Sequence, residues 1–330
     1  VTRPLEGLAA VADRYDVFLL DMWGCIHDGY RVFPGVHDLT KRLRAMGKRT
    51  VVLSNAPRLV PILVRQMQPT FGIPADAFDG IVTSGEAAWQ ALIDDTHKLG
   101  RRFLHVGMEA NIVDPRTIGY EMVDDVADAD FVFATGAAGD GTLDLDALAP
   151  VIAAARKRDL VMVCANPDLE VMRGEQRLLC AGTLAQRYEE IGGRTIYHGK
   201  PHRGVYELAL KIAGNPDRSR VLGIGDAMRT DVAGARGAGL DQAFIPGGIH
   251  GEALKSPMGS VPCATSCALT SGSCTIAPIA PASAATMSFA MPDGARTPSQ
   301  KLASNPGTPL SPTVGRSGSA TERLSPVTAS

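Results

Sequence analysis

From residue 16 to about residue 250 the chain alternates short runs of consecutive apolar residues with longer stretches in which apolar residues recur every three or four positions. Short apolar runs suit strands buried on both faces of a parallel sheet, and the stretches between them have the period of amphipathic helices. The pattern predicts strands at 16–21 (DVFLLD), 49–54 (RTVVLS) and 80–84 (GIVTS), with helices at 36–46, 58–68 and 85–94. Pro57 and Arg58 open the second of these helices. A second block follows, with strands at 102–106 (RFLHV), 131–134 (FVFA) and 161–164 (VMVC) and a helix at 144–157. The first pattern then resumes with strand 194–198, helix 202–213, strand 220–224 (RVLGI), helix 229–237 and strand 241–245.

Such alternation predicts an α/β fold with a doubly wound parallel sheet and a second α/β unit inserted into it. The expected core spans 1–83 and 191–250, and the expected insert spans 84–190. Periodicity alone equally permits two domains in tandem. The insertion is favoured because carboxylates end two distant strands, at 21 and 226, as parts of one site would. No repeat of 20–50 residues is visible.

Composition changes at residue 251. Of the last 80 positions, 46 are Ser, Thr, Pro or Ala, and periodicity disappears. A segment so poor in apolar surface does not offset its own ordering entropy, so 251–330 is expected to be a disordered tail. An alternative is that this tail is not the native ending of the reading frame, because the folded pattern stops in mid-element near GIHGEALKSP.

The rest of the composition narrows the partners. At 330 residues, 45% hydrophobic and with a formal charge of −2, the chain has no basic field to recruit nucleic acid or an anionic membrane. Asp13 and Asp16 interrupt any apolar run near the start, so neither a secretory leader nor a membrane span is expected there, and a cytoplasmic location is the default. Cys25, Cys164 and Cys180 lie in apolar surroundings and are expected to be buried thiols. Cys263, Cys267 and Cys274 match no zinc spacing.

In an open parallel sheet, ligands bind beyond the carboxyl ends of the strands. Four segments there carry polar groups of unusual type for strand ends: Asp21; Ser54 and Asn55 in LSNAPR; Lys200 in YHGKP; and Asp226 and Asp231 in GDAMRTD. Carboxylates, a hydroxyl and an ammonium suit a phosphoryl group and a divalent cation. The glycines of GIGDAMRTD miss the G-x-G-x-x-G spacing of a dinucleotide loop, and the 136–146 loop lacks the final Glu of a calcium site.

In this order the set resembles the haloacid dehalogenase (HAD) superfamily of aspartate-nucleophile hydrolases, and within it class IIA, the nitrophenyl-phosphatase and pyridoxal-phosphatase-like enzymes. The resemblance covers about residues 11–250 and rests on DMWGCIHDGYRVFPG, GDAMRTDVAGARGAG and the NPD at 166–168. It implies a HAD core with an inserted cap. Asp21 would attack phosphorus to form an aspartyl-phosphate, with Lys200 pairing to it. Ser54, Asn55 and Arg58 would contact the phosphoryl group, and Asn166 and Asp168 would serve the cap or the substrate. Mg2+ would be held by Asp21, the backbone carbonyl of Trp23, Asp226 and Asp231. The implied partner is a small phosphorylated metabolite, and cap-to-cap homodimers occur among similar enzymes.

Trp23 departs from the pattern. Phosphatases of the superfamily usually carry a second Asp there as the general acid, a contribution of about 10²–10⁴-fold in rate, and an indole N–H does not titrate. Three readings follow: a substrate with a good leaving group such as an acyl phosphate, a substitute acid with Asp28 or His27 nearest in sequence, or a regulatory protein that binds a phosphorylated ligand without turning it over.

Overall fold

The computed structural model describes residues 3–5, 7–107, 113–136, 143–250 and 267–270. In chain order the strands are β1 (Arg3–Leu5), β2 (Val17–Leu20), β3 (Arg49–Ser54), β4 (Gly80–Thr83), β5 (Arg102–Val106), β6 (Glu121–Val123), β7 (Phe131–Ala134), β8 (Val161–Cys164), β9 (Glu170–Arg173), β10 (Gln176–Leu179), β11 (Arg194–Tyr197), β12 (Val221–Gly225), β13 (Asp241–Phe244) and β14 (Cys267–Thr270). The helices are α1 (Val36–Ala45), α2 (Val60–Phe71), α3 (Ser84–Ile93), α4 (Leu145–Lys157), α5 (Ala181–Glu190), α6 (Arg203–Ile212) and α7 (Ala233–Gly237). No helix among them is long and apolar enough to cross a membrane.

Seven strands form one sheet in the order β1-β14-β13-β12-β2-β3-β4, and five form a second in the order β11-β8-β7-β5-β6. In the first sheet β2 lies between β12 and β3, parallel to both. The chain leaves β2 toward one edge and returns later to its other side, so the carboxyl ends of β2, β3 and β12 meet at the point where strand order reverses. All four residues of β2 are buried, and they divide between two cores. Phe18 and Leu20 pack with Leu43, Leu63 and Met67 from α1 and α2. Val17 and Leu19 pack with Tyr206, Leu210 and Ala235 from α6 and α7. Each such side chain contributes about 1.5–3 kcal/mol by leaving water, which explains the unbroken apolar run.

The second sheet is likewise covered on both faces. Leu104, Val132 and Met162 pack against α4 and α5, while Phe103, Phe131 and Phe133 pack with Ala88 and Leu92 of α3. Between β8 and α5 the chain forms the antiparallel hairpin β9–β10.

Most elements stand within a few residues of the positions read from periodicity. The helix expected at 58–68 begins at Val60 instead, with Pro61 in its first turn, where a missing amide costs nothing, and it ends at Phe71 before Gly72 at φ 65°. The helix expected at 229–237 divides into a π-helical turn over Met228–Val232 and the short α7. The strand that the sequence places at 194–198, with the first sheet, is β11; it pairs in parallel with β8 and edges the second sheet. The hairpin and α5 had no counterpart in the periodicity. In the segment expected to be disordered, Cys267–Thr270 forms β14, antiparallel to β13 and β1. The remainder of 251–330 lies outside the described residues.

Candidate active site

Asp21 follows the end of β2, where its neighbours on both sides are strands. A side chain at that point projects beyond the sheet into a cleft of about 770 Å³. Asp21, Trp23, Asp168, Lys200, Asp226 and Asp231 all line this cleft. Lys200 arrives from the loop between β11 and α6, and its Nζ lies 2.6 Å from Asp21 Oδ1 and 2.7 Å from Asp231 Oδ1. The Lys200–Pro201 peptide is cis.

Backbone donors and a side-chain amide hold these groups in place. The amide of Ile249 donates to Asp226 Oδ2 at 2.8 Å, and the amide of Ala227 donates to Asp231 Oδ2 at 3.1 Å. Asn55, directly after β3, donates from Nδ2 to Asp168 Oδ1 at 2.9 Å and to the Lys200 carbonyl at 3.1 Å. Its Oδ1 accepts the Lys200 amide at 2.7 Å. One buried side chain thus satisfies three polar groups from two distant segments.

Burial would push the Lys200 ammonium down, but Asp21 and Asp231 override it and hold it well above its ordinary value. Asp21 is raised well above the carboxylate range by burial and by the neighbouring Asp231 and Asp226, against the pull of Lys200. Asp226 is pushed up to about 7, first by burial and then by Asp231. Three buried carboxylates face one ammonium, which leaves an excess of two negative charges when all are ionised. This donor set fits a divalent cation. The backbone is cut away to suit: a Cβ at Gly24 would lie 2.1 Å from Asp226 Oδ2, and one at Gly248 would lie 2.0 Å from it.

The other expected residues are placed less directly. Ser54 is buried, and its hydroxyl accepts the Ala56 amide at 3.2 Å. Asn166 is buried and its Oδ1 accepts the Asp168 amide at 3.2 Å, an Asx-type turn that presents Asp168. Arg58 donates to Gln66 Oε1 at 3.2 Å and is not among the residues lining the cleft. His27 is not among them either. Its Nδ1 accepts the Gly29 amide at 3.0 Å, its ring stacks on Phe71 at 4.1 Å, and burial lowers its pKa to about 4. A neutral imidazole so placed does not serve as the substitute acid. Asp28 does line the cleft, but the Arg31 and Tyr30 amides and the Arg31 guanidinium overcome its partial burial and hold it below its ordinary value, so it is ionised.

Several contributors had little signal in the sequence. Cys25 is a buried thiol whose sulfur lies within 4.8 Å of oxygens of Asp21 and Asp226. Burial, with Asp226 and Asp21 beside it, raises its pKa well above the usual value, and a neutral thiol is a poor partner for a hard cation. Cys164 and Cys180 are also buried free thiols, as expected. Gly248 belongs to a Gly-Gly pair just past β13, a feature that a strand-end survey extended to β13 would have flagged. The hairpin residues Glu170, Met172 and Glu175 complete the cleft wall.

The fold and site define a doubly wound α/β hydrolase with its nucleophile candidate at the switch point. Family models agree: residues 18–121 match a haloacid dehalogenase-like hydrolase model, and residues 197–262 match a HAD-hydrolase-like one. A solved hydrolase of the haloacid dehalogenase-like family from Brucella suis is 37% identical, with a TM-score of 0.68 over 74% of this chain and 90% of that one. Chronophin of Rattus norvegicus is 25% identical over 70% of this chain and 76% of its own length. The glycerol phosphate phosphatase of Mycobacterium tuberculosis in complex with magnesium, 23% identical, shares the fold with a TM-score of 0.56 over 76% of this chain and 74% of that one. A further curated relative is 46% identical over only 46 residues, 20% of its length. The chain belongs to the haloacid dehalogenase-like hydrolase family, in its class IIA.

Proposed function

We propose that the protein is a Mg2+-dependent phosphatase of small phosphorylated metabolites, with Asp21 as nucleophile. The observation that carries this reading is the Asp21–Lys200–Asp231 arrangement at the base of a cleft that also holds Asp226. A carboxylate oxygen of Asp21 attacks phosphorus, the P–O bond to the leaving group breaks, and an aspartyl-phosphate forms. Water then attacks that phosphorus and releases inorganic phosphate and free Asp21.

Lys200 fixes the orientation of the Asp21 carboxylate and offsets negative charge as it accumulates on the phosphoryl oxygens. Asp21, the Trp23 carbonyl and Asp226 would hold the ion, and Asp231, tied to Lys200 and the Ala227 amide, would stand behind them. The ion would supply further charge neutralisation at the phosphoryl group. Residues beyond β4, including the second sheet and the hairpin, would act as the cap that selects the substrate, with Asp168 presented into the cleft. Ser54, Asn55, Arg58 and Asn166 would support the phosphoryl group and cap from behind it.

The Trp23 indole donates to the Met172 carbonyl at 2.5 Å, so its N–H is not free to meet a leaving oxygen. That favours substrates with good leaving groups. The test is hydrolysis of acetyl phosphate, p-nitrophenyl phosphate and glycerol phosphate with and without Mg2+. The expected result is Mg2+-dependent turnover in which the first two exceed the third. No turnover of any of them with Mg2+ present would remove the phosphatase reading.

A further inference from the structure

The residue that stands where an acid was expected makes a contact of another kind. Trp23 lies two positions after Asp21, and Met172, whose carbonyl its indole N–H reaches, is 149 residues away on β9. Two further contacts join the same pair of segments. The Gly174 amide, at the hairpin turn, donates to the Asp28 carbonyl at 3.0 Å. The Arg173 guanidinium lies over the Tyr30 ring, 5.2 Å from its centroid. The interface is close: a Cβ on Gly29 would sit 2.7 Å from the Trp23 ring and 3.1 Å from Arg173 Cγ. The indole also meets His27 edge-on, with ring centroids 5.0 Å apart.

We propose that Trp23 is a positioning residue, a clasp between the nucleophile loop and the β9–β10 hairpin that holds the outer wall of the cleft in place. β9 and β10 pair only with each other among the described strands. A two-stranded hairpin is marginal alone and needs an outside anchor to be rigid. Trp23 and Met172 both line the cleft, so the clasp sets the separation of its two walls. Position 23 therefore serves substrate binding through cleft shape, while the chemistry rests on Asp21 and Lys200.

Trp23→Phe keeps a ring and removes the donor. Amide hydrogen exchange on the full chain is expected to show the 170–179 segment exchanging about three- to tenfold faster in this variant, the effect of one lost hydrogen bond on a local opening. Strands 17–20 and 49–54 are expected to keep parent rates. With p-nitrophenyl phosphate, KM is expected to rise by a larger factor than kcat falls. Unchanged exchange over 170–179 would overturn the proposal, as would a fall in kcat alone. Gly29→Ala, which displaces the ring, is the second variant should Trp23→Phe not fold, and the same segment must loosen in it. The kinetic arm rests on the phosphatase reading, whereas the exchange arm does not: absent turnover in the parent would sink that reading and leave the clasp to be decided by exchange.

Discussion

Lys200 Nζ stands 2.6 Å from Asp21 Oδ1, with both side chains buried, although 179 residues separate them in sequence. Removing one partner of a buried pair leaves uncompensated charge, a loss of about 3–5 kcal/mol. Lys200→Met is therefore expected to lower stability by that order and to abolish turnover, measured by urea denaturation and by phosphate release. Asp21→Asn keeps the shape and removes the proposed nucleophile. It is expected to lose at least about 10³-fold in kcat while still binding inorganic phosphate.

The three carboxylates around Lys200 repel one another, and a bound cation would relieve that repulsion. Adding Mg2+ is expected to raise the thermal midpoint, by about 2.7 kcal/mol of added stability at a hundred times its dissociation constant. Gly248→Ala, whose Cβ would meet Asp226, and Asp226→Asn are expected to lose most of that gain. An equal Mg2+ response in all three proteins, followed by scanning calorimetry, would place the ion elsewhere.

Burial of His27 gives a stability effect with a definite sign. Its pKa is about 4 in the fold and about 6.5 in the unfolded chain, so the unfolded state binds the extra proton between these values. The stabilisation is complete above pH 6.5 and is lost as pH falls toward 4, up to about 3 kcal/mol across the window. His198, also lowered by burial to about 4, acts in the same direction. Urea midpoints between pH 7 and pH 4 are expected to fall, and His27→Gln is expected to reduce the slope.

Asn55 carries three hydrogen bonds in a site where water has little access. Asn55→Ala is expected to cost about 3 kcal/mol, because the Lys200 amide and the Asp168 carboxylate lose a partner. Activity should fall with it through misplacement of Lys200. Retained stability in a urea titration would show that neighbouring groups take over these bonds.

Most of the sheet framework is legible along the chain because strands covered on both faces are apolar through their buried centres, as VFLL is throughout and VVL is within RTVVLS. Asp21 and Asp226 stand out for the converse reason, as charged groups immediately after such a run, and Lys200 stands out by its place in the Gly-Lys-Pro that follows a strand. The hairpin was not legible, since all four residues of β9 are half-buried and show no alternation. The sheet that Arg194–Tyr197 joins is not legible in its own four residues, because a strand's partner is set by contacts with a segment some thirty residues away.

By itself the sequence determined which residues end buried strands and what charge they bring, because burial and periodicity are local properties. Only the tertiary structure decided which of those ends share a cleft, that Asn55 rather than Arg58 touches Lys200, that Cys25 lies beside Asp21 and Asp226, and that Trp23 reaches Met172. Hydrogen bonds between residues 145 to 179 positions apart depend on how layers pack, and no local pattern specifies that.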